Sequence, residues 1–148
     1  MAMGKLGTGP RATGQKNGEI DVLWGGTGRG SIWHTSYTKG RWSAQSMLAV
    51  GRHSVPALVA SSPGIASAFW KGQDDGLWNA TGHGGTSWAP AAGLSMGKIG
   101  SEVFAAGRSG GTIDVFWKGA DNPHLWHARY HPSGSHWSGP DNLGGNVR

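Results

Sequence analysis

Hydrophobic and polar positions along this chain repeat in three units, and tryptophan marks the period. The nine Trp fall into three sets: Trp24, Trp33 and Trp42; Trp70, Trp78 and Trp88; Trp117, Trp126 and Trp137, with corresponding members 45 to 49 positions apart. Laid under one another, EIDVLWGGTGRGSIWHTSYTKGRWSA, GIASAFWKGQDDGLWNATGHGGTSWAP and TIDVFWKGADNPHLWHARYHPSGSHWSG keep apolar segments, turns and Trp in step. A fixed period of this length is the signature of a repeat architecture, each unit being one supersecondary element. In the third unit, strands are predicted at Val103–Ala106, Ile113–Lys118, Leu125–Tyr130 and Ser135–Ser138, separated by Gly-, Pro- and Asn-rich turns. Gly9–Gly14 is the matching first strand of unit one. The run from Ile113 to Trp117 does not alternate between apolar and polar, which fits a strand covered on both faces.

Four antiparallel strands in about 47 residues are the make-up of one β-propeller blade. The predicted fold is therefore all-β, a single domain over residues 1–148 with three four-stranded blades at about 3–49, 50–95 and 96–145. Three units of four strands are also the arithmetic of a monomeric β-trefoil, which stays open as the alternative. The unit phase is set by Met3-Gly-Lys-Leu-Gly7, by Met96-Gly-Lys-Ile-Gly100 and, more loosely, by Val50-Gly-Arg-His-Ser54; nine residues on from Trp42 and Trp88 stand Gly51 and Gly97, and the same count from Trp137 reaches Asn146. Propellers close with four to eight blades, so three blades leave a Trp-rich sheet face open at each end of the arc. The expected remedy is a head-to-tail homodimer with six blades, whose two identical junctions close on themselves; a nine-bladed trimer is the lesser option.

Composition favours the same class. Leu, Ile, Val and Phe number only 23 of 148 residues, so the nine Trp must supply much of the core. Twenty-eight glycines speak against helices, in which each interior Gly costs about 1 kcal/mol. There is no cysteine, hence no disulfide or thiolate site, and no apolar run of 18 residues. No membrane insertion is expected, and the first residues show no secretory signal, leaving cytoplasmic residence or release by another route. The net charge of +5 is spread over basic residues that never run three together, which argues against nucleic acid as the partner.

The run Ile113-Asp-Val-Phe-Trp-Lys-Gly-Ala-Asp-Asn-Pro-His-Leu-Trp-His127, followed by Ser135-His-Trp-Ser-Gly-Pro-Asp-Asn-Leu-Gly-Gly145, resembles the repeat of the bacterial PLL-like (Photorhabdus-type) propeller lectins. The resemblance extends over all three units. It implies W-shaped blades, sugar sites in clefts between adjacent blades, fucose and O-methylated sugars as ligands, and no catalysis. The chain departs from it by carrying three blades where family members carry a full ring. Its second unit is also degenerate: Ser67 stands where Asp21 and Asp114 stand, and Asn79 replaces His34 and His127. A site built on that unit is expected to be altered or lost.

A sugar ring offers a face of C–H bonds and a rim of hydroxyls, so its binder needs an aromatic platform and planar donors and acceptors. Trp33-His34, Trp78-Asn79 and Trp126-His127 have that make-up, with the two members of each pair sent to opposite faces of the strand. Trp24, Trp70 and Trp117 are further candidates, as are Gln15, Ser61 and Arg108, each nine residues before one of them at a blade-rim turn. About five or six of the nine Trp are expected to be structural. The outer set, Trp42, Trp88 and Trp137, stands open to solvent or to the next blade. No cofactor is implied. His124, His127 and His131 have helical ligand spacing, but Pro123, Pro132 and the strand pattern deny them a helix, so no metal site is expected. Glu19 and Glu102 are the only glutamates, and the loops before Trp88 and Trp137 lack the Asp of a sialidase Asp-box, so no glycosidase pair is expected either. The reading is a non-catalytic lectin for fucosylated or O-methylated glycans; the alternative is a propeller that binds protein or polyanion through its basic rim.

Overall fold

A computed structural model describes residues 6–27, 30–50, 54–85 and 87–147. Among them the chain is β-structure, turns and one short 3-10 segment at Ser109–Gly111. Strands β1 (Arg11–Gly14), β2 (Ile20–Gly25), β3 (Ile32–Thr38), β4 (Arg41–Trp42) and β5 (Ser46–Ala49) form the first sheet. The second holds β6 (Ala57–Ser62), β7 (Ile65–Lys71), β8 (Leu77–His83), β9 (Ser87–Trp88) and β10 (Ala92–Gly93). The third holds β11 (Phe104–Gly107), β12 (Ile113–Lys118), β13 (Leu125–His131) and β14 (His136–Gly144). Every pairing is antiparallel, and the outermost strand is split into two pieces in the first two sheets. In the third it runs unbroken, well past the predicted Ser138, because β14 stays paired with β13 across two bulges. These are three four-stranded blades of a β-propeller, and the trefoil is not formed.

The same side chains drive each blade. Trp24 faces Trp33 across β2 and β3, Trp70 faces Trp78, and Trp117 faces Trp126. The first member of each pair is buried, at 2%, 0% and 2% exposure. Glycine two residues after it makes room for the second: a Cβ at Gly26 would lie 2.7 Å from Trp33 Nε1, and one at Gly119 2.8 Å from Trp126 Nε1. The loop entering each blade is fastened by a hydroxyl. Thr8, Ser54 and Ser101 accept hydrogen bonds from the backbone N–H of Gly25, Lys71 and Lys118 at 2.8, 3.0 and 3.0 Å, each 17 residues on. Leu6 and Ile99 bridge to Gly26 and Gly119 beside these contacts. Met3–Lys5 and Gly51–His53, over which the phase motif was expected to run, lie outside the described residues.

The core sits between blades. Leu23 and Ile32 of the first pack on Ala68, Trp70 and Ala80 of the second; Val59, Phe69 and Leu77 of the second pack on Val103, Val115 and Trp117 of the third. Strand β6 touches both β1 and β11, and Thr13 Oγ1 accepts from Ala60 N–H at 3.1 Å, so the first strands of the blades lie side by side. No helix among the described residues is long and apolar enough to cross a membrane. Because Trp70 fills the junction between two blades, Trp70→Ala is expected to cost about 3–5 kcal/mol in urea unfolding, while Arg41→Ala on the exposed β4 stays within about 0.5 kcal/mol.

Candidate functional site

Equivalent positions on the two middle strands of each blade, and at the turn before them, build three different surfaces from one template. In the first blade Gln15 Nε2 donates to Asp21 Oδ2 at 2.7 Å, and His34 Nε2 lies 3.0 Å from Asp21 Oδ1. All three are buried. Trp88 of the second blade meets the His34 ring edge-on, centroids 5.0 Å apart. It reaches that far because Gly82 leaves the strand bare beneath it; a Cβ there would lie 2.6 Å from the indole. This junction is sealed.

Between the second and third blades the template is open. Ser61, Ser67 and Asn79 replace the larger Gln15, Asp21 and His34, and Trp137 packs edge-on against Phe69, centroids 5.8 Å apart. A cleft of about 380 Å³ remains. One wall carries the small polar groups of Ser61, Ser67, Asn79 and Thr81; the other carries Tyr130 and Trp137, whose rings lie 5.4 Å apart at 52°. In the second unit, where a site was expected to be altered or lost, Ser67 and Asn79 leave empty the volume that Asp21 and His34 fill one blade earlier. A larger hollow of about 490 Å³ lies where the rim turns meet, lined by Lys16, Ser61, Pro63 and Arg108, with no aromatic platform.

The two outer faces of the arc carry the same parts without a neighbour. On the third blade Asp114 Oδ1 takes His127 Nε2 and Arg129 Nε, both at 2.7 Å, and Arg108 Nη1 stands 3.6 Å from Oδ2. Burial alone pushes the Asp114 carboxyl up, but the hydrogen bonds and charges of His127 and Arg129 outweigh it and hold the group below the usual carboxylate range. Phe116 lies against His127, centroids 4.9 Å apart, and Phe104 and Leu143 are 62% and 54% exposed. On the first blade, Tyr37 and Trp42 form a ring pair at 5.3 Å and 55°, close to the 5.4 Å and 52° of Tyr130 and Trp137. Trp42 is 43% exposed.

Of the sequence candidates, Ser61 and Asn79 line the cleft. His127 and Arg108 belong to the outer face of the third blade, and Gln15 and His34 are locked inside the sealed junction. Trp24, Trp70 and Trp117 are almost wholly buried, and Trp70 and Trp117 reach only the walls of two smaller hollows. Trp33 is half-buried over Gly26. Trp78 donates Nε1–H to Asp74 Oδ1 at 2.8 Å and Trp126 to Asn122 Oδ1 at 3.1 Å, lining hollows of about 300 and 250 Å³ away from Asn79 and His127. Sequence reasoning missed Tyr130, Thr81 and the role of Trp137. A signal existed: the chain has two tyrosines, and each precedes a Trp of the outer set by five or seven residues.

No protein-family model matches the sequence, and neither does any curated protein. Solved structures do match. BP39L lectin from Burkholderia pseudomallei superposes with a TM-score of 0.72 at 20% identity, covering 93% of this chain and 41% of that one. The fucose-binding lectin of the fungus Aleuria aurantia, a six-bladed β-propeller, gives 0.59 at 21% identity over 86% of this chain and 40% of its own. NanB sialidase from Streptococcus pneumoniae gives 0.64 at 9% identity over 86% and 22%. The chain thus spans about two-fifths of the length of these lectins, and what it shares with all three proteins is the propeller fold.

The depressed Asp114 carboxyl fixes a pH dependence. Its hydrogen-bonded charge stabilises the fold above the ordinary carboxylate range and is lost as pH falls below about 4 towards the folded-state value. Asp114→Asn is therefore expected to flatten the fall in the urea midpoint between pH 6 and pH 3 relative to the native chain.

Proposed function

We propose that this protein is a non-catalytic lectin that binds a monosaccharide unit in the cleft between its second and third blades. The observation that carries the reading is the facing of Trp137 and Tyr130 by Asn79, Ser67, Ser61 and Thr81 across about 380 Å³, within the usual span of small-molecule sites. The aromatic wall takes the C–H face of the sugar, and the amide and hydroxyls opposite exchange hydrogen bonds with its hydroxyls. A neutral ligand suits this cleft, and the unit's resemblance to the PLL-like lectins, with the fucose bound by the Aleuria aurantia lectin, points to fucose or an O-methylated sugar. One such site binds weakly, because a monosaccharide buries little area and water competes for every hydroxyl. Several sites on one particle gain avidity on dense glycans.

The particle is a ring closed by a second copy. Both junctions within the chain are made by laying the outer-strand Trp of one blade on the blade before it, Trp88 on His34 and Trp137 on Phe69. Trp42 is the equivalent residue of the first blade and is exposed, and the third blade presents Phe116 where its predecessors Leu23 and Phe69 are buried, with Phe104 and Leu143 exposed beside it. Head-to-tail pairing satisfies both faces twice over and closes six blades.

Titration with L-fucose, followed by amide chemical shifts, is expected to move resonances around Asn79 and Trp137 and to change little between low and moderate salt, whereas a polyanion binder would lose its ligand over that range. Asn79→Ala is expected to weaken binding about tenfold without changing the circular dichroism. Native-like affinity in that variant, or no response to fucose and O-methylfucose, overturns the reading. Light scattering is expected to give twice the 15.4 kDa chain mass; a monomer overturns the ring.

A further inference from the structure

We infer that the junction between the third blade of one copy and the first blade of the next forms a second kind of sugar site, one that selects a saccharide bearing an anionic group, carboxylate or sulfate. The inference rests on the ring proposed above, because neither copy holds the whole site.

Its aromatic wall is already built. Tyr37 and Trp42 repeat the Tyr130–Trp137 pair to within 0.1 Å in centroid separation (5.3 against 5.4 Å) and 3° in tilt (55° against 52°). In the third blade that pair walls the open cleft; in the first it stands on the outer face. The polar wall is what changes. Where the open cleft has Ser61, Ser67 and Thr81, the facing blade of the new junction has Arg108, Asp114 and Arg129, and Lys39 takes the place of Pro132 beside the aromatic pair. Arg108, Arg129 and Lys39 stand against Asp114 and Asp141, the latter's Oδ2 3.8 Å from His127 Nδ1, which leaves a local excess of one positive charge.

The geometry leaves those cations available. Arg129 reaches Asp114 through Nε, so its terminal amino groups are not the ones spent on it. Arg108 approaches at 3.6 Å, beyond a hydrogen bond, and its side chain is 57% exposed. Two guanidinium forks beside an aromatic platform match a sugar whose ring stacks and whose acid group is held bidentately. Asp114 positions the arginines and, being held ionised, does not compete for a proton. The sealed junction has no comparable charge: Asp21 there meets a glutamine and a histidine in full burial.

The test compares methyl β-D-glucuronide with methyl β-D-glucoside, and galactose 6-sulfate with galactose, by calorimetry on the dimer at low and high salt. At low salt the acidic member of at least one pair is expected to bind about tenfold more tightly, an advantage that shrinks as salt screens it; the pair that responds identifies the acid group. Arg129→Gln and Arg108→Gln are expected to remove the preference while the dimer mass and L-fucose binding at Asn79 persist. Trp42→Ala is expected to halve the mass and abolish acidic-sugar binding, again sparing fucose. Equal binding of acidic and neutral sugars, a native chain that is monomeric, or a Trp42→Ala monomer that binds the acidic sugar normally overturns the inference. Fucose binding that survives any of these leaves the lectin reading standing. A dimer that prefers the acidic sugar but ignores fucose supports the junction site and overturns the open cleft.

Discussion

Everything in this molecule depends on the need of each blade to be covered on both faces. A sheet built around Trp–Trp cross-strand pairs, with few aliphatic residues to share the load, exposes large apolar surface unless another sheet lies on it. Stacking blade on blade meets that need, and the outer-strand Trp closes each contact by lying over the blade before it. The hydroxyls of Thr8, Ser54 and Ser101 hold the entering loops, so the blades start alike and can stack alike.

Because the junctions carry the packing, they are also where chemistry varies. The template positions hold Gln15, Asp21 and His34 in one blade, Ser61, Ser67 and Asn79 in the next, and Arg108, Asp114 and His127 in the last. In the first set the Asp21 carboxylate is matched by Gln15 and His34, all three are buried, and Trp88 meets the imidazole edge-on. The second is too small to fill its own space and leaves a polar cleft. The third binds its carboxylate with more positive charge than that group can neutralise. Divergence among repeats thus changes what a junction holds without disturbing how blades stack, since the stacking residues are others: Leu23 and Phe69 on one face, Trp70 and Trp117 on the opposite one.

The Trp period, the Gly-rich turns and the non-alternating strands were enough to read three four-stranded units from the sequence, down to β12 at Ile113–Lys118. The difference among the units was visible too, in Ser67 and Asn79. Its meaning was not. Whether a smaller side chain weakens a site or opens one depends on what stands opposite, and Trp137 stands across from Asn79 through a register between sheets that no local pattern encodes. The repeat set the three groups of Trp on an equal footing, and only packing shows that Trp24, Trp70 and Trp117 are the ones almost wholly buried.

By itself the sequence determined the class of fold, the number of units and the composition of each template position, because periodicity, turn chemistry and strand propensity act over a few residues. Tertiary structure decided which junction is closed and which is open, which indoles meet solvent, and that Asp114 gathers His127, Arg129 and Arg108 around one carboxylate. Those outcomes depend on side-chain volumes and charges meeting from different blades. Such distances are set only when the sheets pack.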